Sequence, residues 1–230
     1  MSVFGLDSRQ VMGLASAVSS GADTEVDEAL AAEIFARASW TGIAEPGDSV
    51  AGALVSSLGA VAALTSLVDS WTVDRVTAEA ASAGADPVAA HDLALAFERW
   101  RPRLVSSAVI TALRQAARVS ARLLLPSDRS WPSAVDDLGV HGPIALWVRG
   151  VDAALDSLPS SVALVGARAA TGYGEHMAME LGAGLSDRGV SVVSGAVYFL
   201  LPTTCCWRLT LNIRARIHRC LHILMGASAV

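Results

Sequence analysis

Two short stretches of this chain carry residue types that could do chemistry. In "VALVGARAATGYGE", Val162 to Glu175, an apolar run breaks at Gly166 into a turn that holds Arg168, Gly172 and Gly174. That composition suits an anion. Gly166 lets the chain leave a strand sharply, Gly172 and Gly174 let the backbone approach a phosphate, and the Arg168 guanidinium offers two parallel hydrogen bonds. Free N–H groups at the start of a following helix would complete the cradle. The spacing is not the G-x-G-x-x-G of dinucleotide binding, and a chain without lysine has no P-loop lysine. A plain glycine turn with a solvated arginine would show the same pattern. The second stretch looks metal-like: Cys205 and Cys206 are adjacent, and His218 and His222 lie four apart around Cys220. Zinc sites space their first pair by two to four residues, so no metal is expected. No catalytic residue and no cofactor are expected either; His91, alone in a helical segment, reads as a surface or core residue.

An anion-binding turn has to sit between a strand and a helix, and the flanking pattern supplies both. "SVALVG" reads as a buried strand, "GEHMAMELGAGLSDRG" as a helix and "VSVVSG" as a second buried strand. Met177, Leu181 and Leu185 recur every four residues, with Ala178 and Gly182 beside them, predicting a face packed on a sheet. Gly189 suits a helix C-cap. A strand, helix and strand of these lengths make a right-handed crossover between parallel strands, with ligands expected beyond the strands' carboxyl ends.

Upstream, residues 1 to about 122 read as helical throughout. "DEALAAEIFARASW" places Leu30, Ile34 and Trp40 near one face, with acids in its first turn. "EPGD", Glu45 to Asp48, is a turn. The uncharged run from Ser49 to Val68 raises the question of a membrane span, but its glycines, hydroxyls and alanines favour a buried helix or helix pair. A further helix is expected after Pro87. The six arginines from Arg99 to Arg122 fit the solvated face of a helix joining two domains, with a nucleic-acid patch as the alternative. With 230 residues, 53% of them apolar, the chain can bury a sizeable core. A net charge of −5 excludes a protein coated in basic charge, so contact with nucleic acid needs a local basic site. The first residues show no basic segment before an apolar run, and a cytoplasmic protein is expected.

The segment "LLLPSDRSWPSAVDDLGVHGPIALWVRG", followed by "VALVGARAATGYG" and "VSVVSG", resembles the DNA-processing protein A family (DprA, also called Smf). In that family a Tyr-Pro-x-x-Leu-like segment, a Pro-x-x-Leu-x-x-x-Gly-like strand and a "VGSR…YG" turn follow in this order. Here Trp131 and Pro132 stand at the first, Pro143 to Gly150 at the second, and Gly166, Ala167 and Arg168 at the third, with Ala167 where serine is usual. The resemblance covers roughly Arg99 to Gly195; the N-terminal helices are similar only to the small helical domain such proteins often carry. It implies a Rossmann-like domain that binds single-stranded DNA through its backbone, forms a homodimer, and loads the RecA recombinase in natural transformation and recombination, without being an enzyme and without a membrane partner. It carries over Gly166, Arg168, Gly172 and Gly174 as phosphate-binding positions, and Ser194 and Gly195 as the start of a second phosphate-facing loop. A nucleotide-processing enzyme of phosphoribohydrolase type is the alternative on a similar fold. Such an enzyme needs a positioned acid near the sugar, and nothing after Gly195 provides one.

After Gly195 the pattern breaks. The family continues with a Gly-Ile-Asp turn; this chain gives "AVYFLLPTTCCWRLTLNIRARIHRCLHILMGASAV". Residues 1–195 hold 13 arginines against 22 acids, a net of −9, whereas residues 196–230 hold four arginines and no acid, a net of +4. The expectation is an α/β chain in three parts: an N-terminal helical domain over 1–125, a truncated Rossmann-like parallel-sheet domain over 126–195, and a non-family tail over 196–230. The tail is read as out of frame from about Ala196 and without packing partners. A membrane-seeking tail is the rival, since Ile213, Ile217, Leu221 and Leu224 fall on one helical face.

Overall fold

A computed structural model describes residues 6–20, 25–84, 88–150, 152–165, 171–195, 207–212 and 220–225. Its helices begin where short polar side chains can take the place of missing carbonyls. Asp7 caps α1 (Ser8–Ser16), accepting from the Gln10 N–H at 2.7 Å. Asp27 caps α2 (Glu28–Ile43) through the Leu30 N–H at 2.7 Å, and Asp48 caps α3 (Ser49–Leu58) through those of Val50 and Ala51. Each side chain satisfies an amide that has no acceptor within its own helix.

The apolar run from Ser49 to Val68 does not form one long helix. Gly59 adopts φ +80°, ending α3 and starting α4 (Ala60–Val68), and the two helices meet at 110°. Only glycine takes that conformation without strain. Ala51, Leu54, Ala60, Ala63, Leu64 and Leu67 are all buried, and Trp40 donates its indole N–H to the Ala60 carbonyl at the bend. Among the described residues no single helix is long and apolar enough to cross a membrane. Two further helices, α5 (Val73–Ser82) and α6 (Ala90–Trp100), close this cluster with Val76, Leu93, Phe97 and Trp100. Trp100 meets Trp40 edge to face, with centroids 5.2 Å apart.

α2 has apolar residues on all sides because it is buried on all sides. Trp40 and Ile43 face the cluster just described, while Ile34 and Phe35 belong to a second one. That second cluster gathers α1, α2 and α7 (Ser106–Arg118) against β1 (Arg122–Leu124) and β2 (Leu146–Arg149), through Val11, Val109, Leu113, Leu123 and Trp147. It crosses the expected boundary at 125/126. The polar groups across this seam are matched: Trp147 donates to the Thr41 hydroxyl at 3.1 Å, Arg37 donates to the Ile144 carbonyl at 2.6 Å, and His141 Nδ1 lies 3.0 Å from the Gly47 carbonyl.

The sheet continues with β3 (Ser161–Leu164), β4 (Ser191–Gly195), β5 (Trp207–Asn212) and β6 (Cys220–Met225), in the order β1-β2-β6-β5-β4-β3. The mixed α/β class matches the sequence reading. Among the described strands only β3 and β4, joined through α8 (Gly172–Asp187), pair in parallel; the other neighbouring strands are antiparallel. The expectation of a tail without partners is corrected for its described strands. Two described strands of the tail, β5 and β6, lie between β2 and β4, so they have backbone partners on both sides. On the sheet face away from α7, Leu124, Leu146, Val148, Ala154, Leu155 and Val193 form a third, smaller cluster.

Candidate functional site

β3 and β4 run in parallel register from Ser161 opposite Ser191 to Leu164 opposite Ser194. Their carboxyl ends therefore lie side by side, one strand spacing apart, about 5 Å. Ser194 is half-buried, and Gly195 is the last residue of its strand. The chain that leaves β3 returns at Thr171, the N-cap of α8. Thr171 is extended at φ −77°, ψ 159°; its Oγ1 accepts from the Gly174 N–H at 3.2 Å and its carbonyl from the Glu175 N–H at 3.0 Å. Helix geometry leaves the first amides without an intrahelical acceptor, and the Thr171 cap satisfies that of Gly174. Gly172 and Tyr173 stand at the exposed end of the helix. A Cβ built on Gly172 would meet nothing within 4 Å, so the space beside its backbone is open to a ligand.

Of the predicted site residues, the structure brings Gly172 and Gly174 together on the first turn of α8 and sets Ser194 beside the end of β3. Gly166 and Arg168 lie outside the described residues. Sequence reasoning passed over Thr171, although a threonine just before a helical run is the ordinary signature of an N-cap. It also passed over Glu175, an exposed acid on the same first turn. Glu175 favours the helix through the dipole but opposes an anion placed beside it. Of the metal-like set, Cys205, Cys206 and His218 lie outside the described residues, and among the described residues no group of three or more potential ligands occurs.

The expected face of α8 is covered only in part: Met177 and Leu185 are half-buried, whereas Leu181 is exposed. Leu181 is 51% exposed, Met179 66% and Tyr173 74%, and no α8 residue is buried. α8 lies against β4, next to the edge strand β3, so the helix covers the border of the sheet rather than its middle. Val162 and Val165 are exposed as well. The upstream motifs are better anchored. Trp131 donates its indole N–H to Asp136 at 2.9 Å and packs against the third cluster, and the strand after Pro143 supplies Leu146, Trp147 and Val148 to two cores.

Comparison with known proteins places this region. Residues 122–198 match the sequence profile of the family described as DNA recombination-mediator protein A. Two relatives from Mycobacterium tuberculosis, strains CDC 1551 / Oshkosh and ATCC 25618 / H37Rv, are provisionally named DNA processing protein DprA. Each is 45% identical over 92 residues, which is 35% of this chain and 23% of the relative. The match thus spans less than a quarter of the length of these relatives.

Proposed function

We propose that this chain, whose residues 122–198 match the DNA recombination-mediator protein A family, binds single-stranded DNA through its sugar–phosphate backbone at the shared end of β3, β4 and α8. The observation that carries the reading is the parallel register of β3 and β4, which sets Ser194 beside Leu164 at the end of the strand that precedes the capped first turn of α8. Strand ends and a helix N-terminus present N–H groups to an anion, and Arg168 in the intervening turn supplies the counter-charge. Such a site holds phosphates and reads no base, so binding is independent of sequence and weakens with salt. The chemistry is binding rather than catalysis, and the bound strand is material for recombination, to be passed to a RecA-type recombinase. Dimerisation belongs to the same proposal.

The test is fluorescence anisotropy of a labelled oligothymidine with the full chain at two salt concentrations. Arg168→Ala is expected to weaken binding and to lower the slope of log affinity against log salt by about 0.7, the loss of one phosphate contact to a single strand. Wild type and variant binding equally at both salts would remove Arg168 and this end of the sheet from the site.

A further inference from the structure

Between Glu98 and Asp128 the chain has six arginines and no acid. Four of the six have partners. Arg99 pairs with Asp48 at 3.1 Å, Arg103 with Glu45 at 2.6 Å, Arg101 lies over the Phe97 ring at 5.6 Å, and Arg122 donates to the Gly150 carbonyl. Arg114 and Arg118, both on α7, are exposed and make no ion pair or hydrogen bond among the described residues. The opposite side of α7 buries Val109 and Leu113. At 100° per residue, Ser107, Thr111, Arg114 and Arg118 fall within about 60° of one another, and all four are exposed.

A third unpaired arginine joins the row. Side chains alternate along β2, and Trp147 faces the α7 side, so Arg149 faces it too. Arg149 follows the Arg122–Val148 pair in the register, which sets it beside Ala121. The Ala121 N–H bonds the Ala116 carbonyl in the last turn of α7 at 2.8 Å. Arg149 is exposed and unpaired among the described residues. Like charges four residues apart cost a helix about 0.2–0.5 kcal/mol. The helix dipole accounts for Arg118 in the last turn, but not for Arg114 in the middle or for Arg149 on the strand.

We propose that α7 and the end of β2 form a second contact for the sugar–phosphate backbone of single-stranded DNA, resting on the function proposed above. Hydroxyls and arginines in a row about 6 Å apart along the helix axis are the groups that hold successive phosphates. The stripe offers no tryptophan, phenylalanine or leucine to sink into a lipid surface, and no aromatic anchor for a protein partner. It lies on the β1 side of the sheet, whereas the first site lies at the β3 edge. Five strand spacings separate the two edges, about 24 Å. One strand of DNA lying across the sheet would engage both.

The experiment compares the full chain with the triple variant Arg114→Ala/Arg118→Ala/Arg149→Ala and with Arg168→Ala, by anisotropy of a labelled 20-mer oligothymidine from 50 to 200 mM salt. Losing three phosphate contacts should lower the salt slope by about 2, so that between these salts the wild type loses roughly 20-fold more affinity than the triple variant. The triple Arg→Lys variant should keep the slope and serves as the control for folding. An unchanged slope in the triple Ala variant, whether or not Arg168→Ala weakens binding, overturns the second contact. A reduced slope in the triple variant with no effect of Arg168→Ala keeps it and rejects the first site. Wild type that binds anionic phospholipid vesicles but not the oligonucleotide rejects both.

Discussion

The seam between the N-terminal helices and the family segment depends on one glycine. A Cβ built on Gly52, in the middle of α3, would lie 1.9 Å from the Val140 carbonyl oxygen and 2.8 Å from its carbon. Real side chains do not approach backbone that closely, so Gly52→Ala has to push the 138–142 loop outward by about an ångström. The His141 contact to the Gly47 carbonyl then loosens. Alanine gains about 1 kcal/mol of helix propensity over glycine. Overpacking costs about 1–3 kcal/mol, and more when the obstacle is backbone. The net expectation is a loss of about 1–2 kcal/mol, which for a chain of this size lowers Tm by roughly 3–6 °C. Gly13 provides the matched control. It also sits inside a helix, but a Cβ there meets nothing within 4 Å, so Gly13→Ala is expected to raise Tm by roughly 1–4 °C. Thermal unfolding followed by far-UV circular dichroism reads both. If Gly52→Ala raises Tm as Gly13→Ala does, the helices do not clasp the family segment as described.

Asp48→Asn keeps the cap on α3 but replaces the oxygen that accepts from both Arg99 and Trp100 with a donor; the expected cost is about 1–3 kcal/mol, read by urea unfolding with tryptophan fluorescence. Thr171→Ala should cost about 1 kcal/mol in local stability, speed amide exchange over the first turn of α8 and weaken oligothymidine binding, while Thr171→Ser should preserve all three. Deleting residues 196–230 should leave the helical clusters intact, since among the residues whose side chains are described none of either cluster lies beyond Trp147; it should also make 161–195 protease-sensitive by removing the strands that join β4 to β2. A fall in the stability of the helices on that deletion would contradict the placement of the cores.

The helical half was legible because its signals are local. Asp27 and Asp48 announce helix starts, and the apolar spacing through Ile34, Trp40, Phe97 and Trp100 announces buried faces. The break at Gly59 was less legible: a glycine inside an apolar helical run is tolerated as often as it turns, and only the carbonyl contact with Trp40 shows why the chain bends there. The strand β1 was hidden for a different reason. Arg122–Leu124 is three residues long and gains its strand character from pairing with β2 and from the Leu123 N–H bond to Val18, both remote in sequence. At the site, the strand–turn–helix–strand order could be read in advance. Thr171 could have been, and the solvent exposure of α8 could not, since a helical period says which residues share a face but not whether a sheet is wide enough to cover it.

That exposure bears on the break in the sequence. α8 and β3 leave Tyr173, Met179, Leu181, Val162 and Val165 in solvent at one edge of the sheet, and Leu181 belongs to the face whose four-residue spacing predicts burial. The family match ends at 198, eleven residues past Asp187, the last acid of the chain. Beyond it the described strands pair antiparallel with β4 and with β2, where a strand–helix–strand crossover would continue the parallel run. A parallel neighbour on β3, with its own helix, would bury the edge of the sheet and give α8 a flank to pack on. Sequencing the coding DNA across codons 190 to 200 is expected to show that a one-base change restores a Gly-Ile-Asp continuation, and the restored chain should then protect α8 from amide exchange. If no single-base change restores it, the tail is in frame and its two strands are a built part of this sheet.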